Sequence, residues 1–78
     1  MLFITLSKGY EMENKEVTFN LHQFYLTVNN MERKIFEMLE EYDESEINYH
    51  EVYEEEKSDI FSDEVITIII SVVKSRIL

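Results

Sequence analysis

Hydrophobic positions along this chain change their spacing as it proceeds, and each change predicts an element. "LFITLS" (2–7) alternates and is rich in β-formers, which predicts a strand. "KGYEMENK" follows as a polar stretch holding the one glycine, Gly9, as a hairpin turn would. "EVTF" (16–19) then reads as a second strand. From Asn20 the step becomes three and four: Leu21, Phe24, Val28, Met31, Ile35, Met38 and Tyr42 form one stripe, spaced as a heptad seam. Asn20 as N-cap with Gln23 at the third helical position makes a capping-box start, and the pattern predicts one helix over 20–43. Asn29-Asn30 is poor helix material, so a strand at 24–28 followed by a helix from Asn30 is the alternative.

"DESE" at 43–46 repeats the cap signature with Asp43 and Glu46. It predicts a second helix over 46–57, with Ile47, Tyr49, Val52 and Tyr53 as its apolar positions. "SDEVITIIISVVKSRIL" carries two patterns. Its β-branched residues favour a strand over 65–73. Against that, Ser62 is placed to cap, Asp63 and Glu64 fall in a first helical turn, and Lys74 and Arg76 fall in a last one. Thr67, Ser71 and Lys74 also form a polar stripe opposite Ile66, Ile69, Ile70, Val73 and Ile77. A helix over 63–77 is the preferred reading. The expected fold is therefore α+β and mainly α: a short N-terminal hairpin (about 2–7 and 16–19), then helices at about 20–43, 46–57 and 63–77, in one small domain over 1–78. The absence of proline supports long helices with short connections.

The start carries a second reading. Lys8-Gly9 back-translates to AAAGGN, which resembles a bacterial ribosome-binding site just upstream of the Met12 codon. Met12 is then a candidate native start, with residues 1–11 a translated leader and the first strand accidental.

Composition narrows the chemistry. With no cysteine there is neither a disulfide framework nor a thiolate metal site. A 45% hydrophobic and 13% aromatic content argues for a folded core rather than disorder. The apolar run at 65–73 falls short of the roughly 20 residues of a membrane span, so a cytoplasmic protein without a membrane partner is expected. His50 has Glu46 and Glu54 four residues away on either side, but a surface ion-pair cluster accounts for this more simply than a metal site. An EF-hand laid over 43–54 fails, because Ile47 stands at the fifth position and Asn48 at the turn glycine. No phosphate-binding glycine loop, zinc helix motif or nucleophile elbow occurs. A core this small rarely encloses a catalytic pocket. The reading is a protein that is not an enzyme and needs no cofactor or metal.

Net charge is the outlying quantity. It is −10, and residues 40–59 hold ten carboxylates against one lysine. Glu40, Glu41, Asp43, Glu44 and Glu46 form its first half; Glu51, Glu54, Glu55, Glu56 and Asp59 form its second. Tyr49 and Tyr53 lie among them, and tyrosine favours interface centres. These twelve residues are the candidate partner-binding site. As one helix the segment would span about 30 Å, or roughly one net charge per 3.3 Å, close to the phosphate spacing of about 3.4 Å along a DNA strand. Such a surface repels nucleic acid and is steered toward basic proteins.

In size, net charge and clustering, this profile resembles small acidic phage and mobile-element proteins that disable host nucleases, including anti-restriction and anti-CRISPR proteins. That class shares no common fold, so the resemblance implies a function and no site residues. It implies a non-enzymatic inhibitor that occupies, by DNA mimicry, the basic nucleic-acid site of a nuclease or its targeting complex. Two rivals come from other classes. One is a helical regulatory module that homodimerises through the Leu21–Tyr42 seam; the other is an antitoxin or immunity protein that neutralises a basic toxin.

A chain beginning at Met12 separates the two readings of the start. Retained helical circular dichroism and an unchanged melting temperature would identify residues 1–11 as a leader. The hairpin reading expects aggregation or loss of fold instead, which would assign Phe3 and Ile4 to the core.

Overall fold

A computed structural model of the chain describes residues 3–7 and 16–78. It is mainly helical, with three helices: α1 Leu21–Met38, α2 Tyr49–Glu56 and α3 Asp63–Ile77. Two short extended segments precede them, β1 Phe3–Ser7 and β2 Glu16–Asn20. The turn expected around Gly9 lies outside the described residues.

Asn20 ends β2 and caps α1, its Oδ1 accepting the Gln23 N–H at 3.1 Å. The helix runs through Asn29 and Asn30 without a break, so the alternative strand at 24–28 is not found. Asn30 finds partners outside its own backbone: its amide donates to the Glu56 carbonyl at 3.3 Å, and its Oδ1 accepts from Arg33 at 3.1 Å. The expected end at 43 is corrected. α1 stops at Met38, and Leu39 to Tyr42 form a turn in which Glu40 and Glu41 donate to the carbonyls three residues back, Glu37 and Met38, at 3.3 and 3.0 Å. Glu37, Glu40 and Glu41 crowd the negative end of the helix dipole, and no basic side chain occupies the last turn.

The second helix is also shorter than the predicted 46–57. Asp43 and Glu46 do make a cap, with the Glu46 carboxylate accepting the Asp43 N–H at 3.1 Å, but it serves only a single 3₁₀ turn over Glu44–Glu46. α2 has its own cap in Asn48, whose Oδ1 accepts from His50 and Glu51 at 3.1 and 3.2 Å. An asparagine that bonds the backbone ahead of it competes with helix continuation, so the helix restarts there. The break also lets Ile47 turn inward, where it is buried.

α3 matches the predicted 63–77, and the alternative strand at 65–73 is not found. Ser62 Oγ accepts the Val65 N–H at 3.4 Å, and charges of the right sign occupy both ends. Cap, dipole and packing outweigh the β-branched composition.

Contacts between helices set their directions. Thr27 meets Ser58 and Asn30 meets Glu56, so α2 runs back antiparallel to α1. Arg76 pairs with Glu32 at 3.2 Å while Val65, at the other end of α3, shares a cleft with Phe19, so α3 runs alongside α1 in the same sense. The core lies among the three helices: Val28, Met31, Ile35, Ile69 and Val73 are fully buried, with Val52, Tyr53 and Val65 packed around them. Burying a side chain of this size contributes roughly 1.5–3 kcal/mol. The Phe19 and Phe24 rings, 4.9 Å apart, close the end next to β2.

The homodimer seam is therefore corrected. Phe24, Val28, Met31 and Ile35 are buried inside one chain against α2 and α3, and Leu21 and Met38 are half-buried there. Tyr42, past the end of the helix, is 50% exposed and stands outside the core.

Ile35 sits at the centre of this packing. Ile35→Ala should cost about 2–5 kcal/mol, the usual range for truncating a buried aliphatic side chain. The variant should show a clearly lowered melting temperature or no cooperative transition. A melting temperature equal to wild type would contradict the packing.

Candidate partner-binding surface

The carboxylates of 40–59 divide between two places. Glu40, Glu41, Asp43 and Glu46 are exposed on the corner between α1 and α2; Glu51, Glu54 and Glu55 are exposed on α2, and Asp59 in the loop after it. Glu44 and Glu56 are half-buried. The first half makes the corner itself and the second follows on α2, so the two do not continue one helix. α2 has eight residues, about 12 Å of helix, so the single charged rod of about 30 Å does not form. The match to phosphate spacing along a straight line is lost, and a bent acidic surface replaces it.

Little in the chain neutralises that surface. Lys57 Nζ meets Glu54 Oε2 at 2.9 Å, and this hydrogen bond raises the lysine's pKa. Among the described residues no other carboxylate of the segment is in an ion pair. Like charges also stand at helical neighbour positions, Glu51 with Glu55, which weakens a helix by a few tenths of a kcal/mol. Glu54, Glu55 and Glu56 occupy the last turn of α2, where the dipole disfavours negative charge.

Both tyrosines proposed as interface anchors are core residues. Tyr49 is 6% exposed and Tyr53 2%. The Tyr49 hydroxyl donates to Glu44 Oε1 at 3.0 Å, and Lys74 of α3 lies 5.0 Å from its ring centre. Tyr49 thus ties the 3₁₀ turn to α2 and α3. Burial first, then the hydrogen bond and charge of Glu44, push its pKa from 10.0 up to about 12. Tyr53 is also raised, chiefly by burial.

A second tie was not foreseen from the sequence. Thr27 is fully buried; its hydroxyl accepts the Ser58 N–H at 3.1 Å and lies 3.0 Å from Ser58 Oγ, which donates to the Gln23 carbonyl at 3.1 Å. The only signal was its place beside Val28 on the edge of the apolar stripe. This link fixes the far end of α2 to α1, as Tyr49 fixes the near end.

His50 and Glu46 lie on different elements, and among the described residues no three His, Asp or Glu side chains gather as metal ligands would. An open cleft of about 350 Å³ lies between β2 and the loop before α3, lined by Thr18, Phe19, Asn20, Asp59, Ile60 and Phe61 among others. Asn20 Oδ1 there caps α1, and Asp59 accepts the Ile60 N–H at 2.8 Å. Among the described residues no helix is long and apolar enough to cross a membrane. Comparison with protein-family models, with curated proteins and with solved structures gives no match.

The Tyr49 environment predicts a pH effect of definite sign. A folded-state pKa raised from 10.0 to about 12 means that the neutral phenol stabilises the fold fully below pH 10. That contribution is lost as the pH rises from there through about 12. In a spectroscopic titration Tyr49 should ionise in a late step near pH 12, and Tyr49→Phe should remove that step. A titration curve that Tyr49→Phe leaves unchanged at high pH would contradict the buried hydrogen bond.

Proposed function

We propose that this protein is a non-enzymatic acidic inhibitor that binds the basic nucleic-acid site of a nuclease or its targeting complex. The observation that supports it is the exposed, almost unpaired carboxylate surface on the α1–α2 corner and α2. A domain this small has a thin stability margin, and the repulsion and dipole conflict in α2 reduce it further. A basic partner would relieve both. The partner-binding residues in this reading are Glu40, Glu41, Asp43, Glu46, Glu51, Glu54, Glu55 and Asp59. Tyr49 and Tyr53 hold that surface in place from behind and do not touch the partner. Glu44 and Glu56 serve the same support through Tyr49 and Asn30. In this reading β1 pairs antiparallel with β2 as a hairpin of the folded protein, Phe3 opposite Asn20 and Ser7 opposite Glu16.

Charge reversal tests this. Glu51→Lys, Glu54→Lys and Glu55→Lys together shift the surface by six charge units, and all three side chains are exposed, so the fold should survive. Immobilised wild-type protein should retain nucleic-acid-binding proteins from a bacterial extract at low salt. Added salt and duplex DNA should both release them, because matched charges and ion release drive binding. The triple variant should retain far less. A partner whose binding ignores salt, DNA and the triple reversal would overturn the reading.

A further inference from the structure

α1 presents a second face that the core does not use. Its exposed residues are His22, Tyr25, Leu26, Asn29, Arg33, Phe36 and Glu37, and exposed Glu40 continues the row into the turn. At 100° per residue they fill one sector, bounded on one side by Asn30, which meets α2, and on the other by Glu32, which meets α3. Tyr25 is 51% exposed, Leu26 39% and Phe36 53%, so large apolar groups stand in water at both ends of the face. Buried seam residues explain none of this exposure.

We propose that this face binds a second copy of the chain, α1 against α1 in antiparallel register about a two-fold axis at the level of residue 31. The geometry of an α-helix then sets each residue opposite the one whose number sums with its own to 62. Leu26 of one copy meets Phe36 of the other, and the two largest apolar contacts form at once. Tyr25 meets Glu37, a phenol donor against a carboxylate. His22 meets Glu40, and Asn29 meets Arg33. Both carboxylates of the face find a donor, and no like charges stand opposite each other. Residue i facing j while j faces i is the requirement of an isologous interface.

Charge complementarity selects this register. Moving the axis to residue 29 places Leu26 against Glu32 and leaves Phe36 facing His22. The net charge of −10 does not forbid the pairing. The two Glu40 side chains lie at opposite ends of the helix pair, about 27 Å apart at 1.5 Å per residue, well beyond a screening length of about 8 Å at physiological salt. One helix face buries little area, and interfaces below roughly 1,200 Å² in total belong to weak, exchanging complexes. The dimer is therefore concentration-dependent.

The proposal shares only Glu40 with the acidic surface, and it can be tested without a partner protein. Sedimentation velocity across the micromolar range should show the mass rise from 9.4 kDa toward twice that value. Phe36→Glu and, separately, Leu26→Lys should each hold the protein monomeric with unchanged circular dichroism, since both positions are exposed. The double variant should regain the dimer, because the new lysine of one copy faces the new glutamate of the other. Glu51→Lys with Glu54→Lys and Glu55→Lys should leave the association intact, which separates this surface from the partner-binding one. A mass of 9.4 kDa at every concentration would overturn the dimer. Single variants that associate like wild type would overturn the surface, and a double variant that stays monomeric would overturn the register.

Discussion

The buried row Phe24, Val28, Met31 and Ile35 on α1 is the contact on which the rest of the chain depends. α2 and α3 meet α1 along opposite flanks of that row. Remove the row and α2, eight residues long with four carboxylates, has no reason to be helical: its charges oppose it and its length is below what stands alone in water. The acidic surface is thus a consequence of apolar packing. Carboxylates stay together on the outside because Val52, Tyr49 and Tyr53, on the same short helix, are held on the inside.

Two polar ties define the geometry of that helix more sharply than its apolar contacts do. Tyr49 joins Glu44 of the 3₁₀ turn and lies under Lys74 of α3; Ser58 joins Thr27 and Gln23 of α1. Each tie closes one end of α2. Apolar packing tolerates small rotations of a helix about its axis, whereas hydrogen bonds at both ends do not. The proposed partner binding would need that restriction, because energy from matched charges depends on where each one sits.

Local chemistry was legible in the sequence and interruptions were not. Asn20 and Ser62 cap as expected because a cap needs only its own side chain and the next three residues. The long stripe was legible because seven positions repeat one spacing. The second helix was misjudged because Asp43 and Asn48 offer cap chemistry five residues apart, and pattern alone does not tell which one starts the helix. The tyrosines among the acids were equally ambiguous: Tyr49 and Tyr53 satisfy both an interface and a core, and burial is decided by α3, far along the chain. Phe36, off the stripe, was invisible to any search for the core, since periodic reading keeps what repeats and sets aside what does not.

α1 has apolar residues on two sides, and the two sets differ in kind. The inner row is unbroken and dry, and it decides whether the chain folds. The outer set is sparse, interleaved with His22, Arg33, Glu37 and Glu40, and each apolar group has a polar neighbour one turn away. In the proposed dimer, such mixing leaves enough apolar surface for a weak, oriented contact without one large apolar patch. Oppositely charged groups then set the register that the apolar groups alone would leave open. The acidic surface follows the reverse scheme, with charge outside and aromatics hidden behind it, so it attracts from a distance and offers no apolar grip. One small helical frame thereby separates two kinds of surface: one suited to orientation by shape and register, the other to attraction by charge.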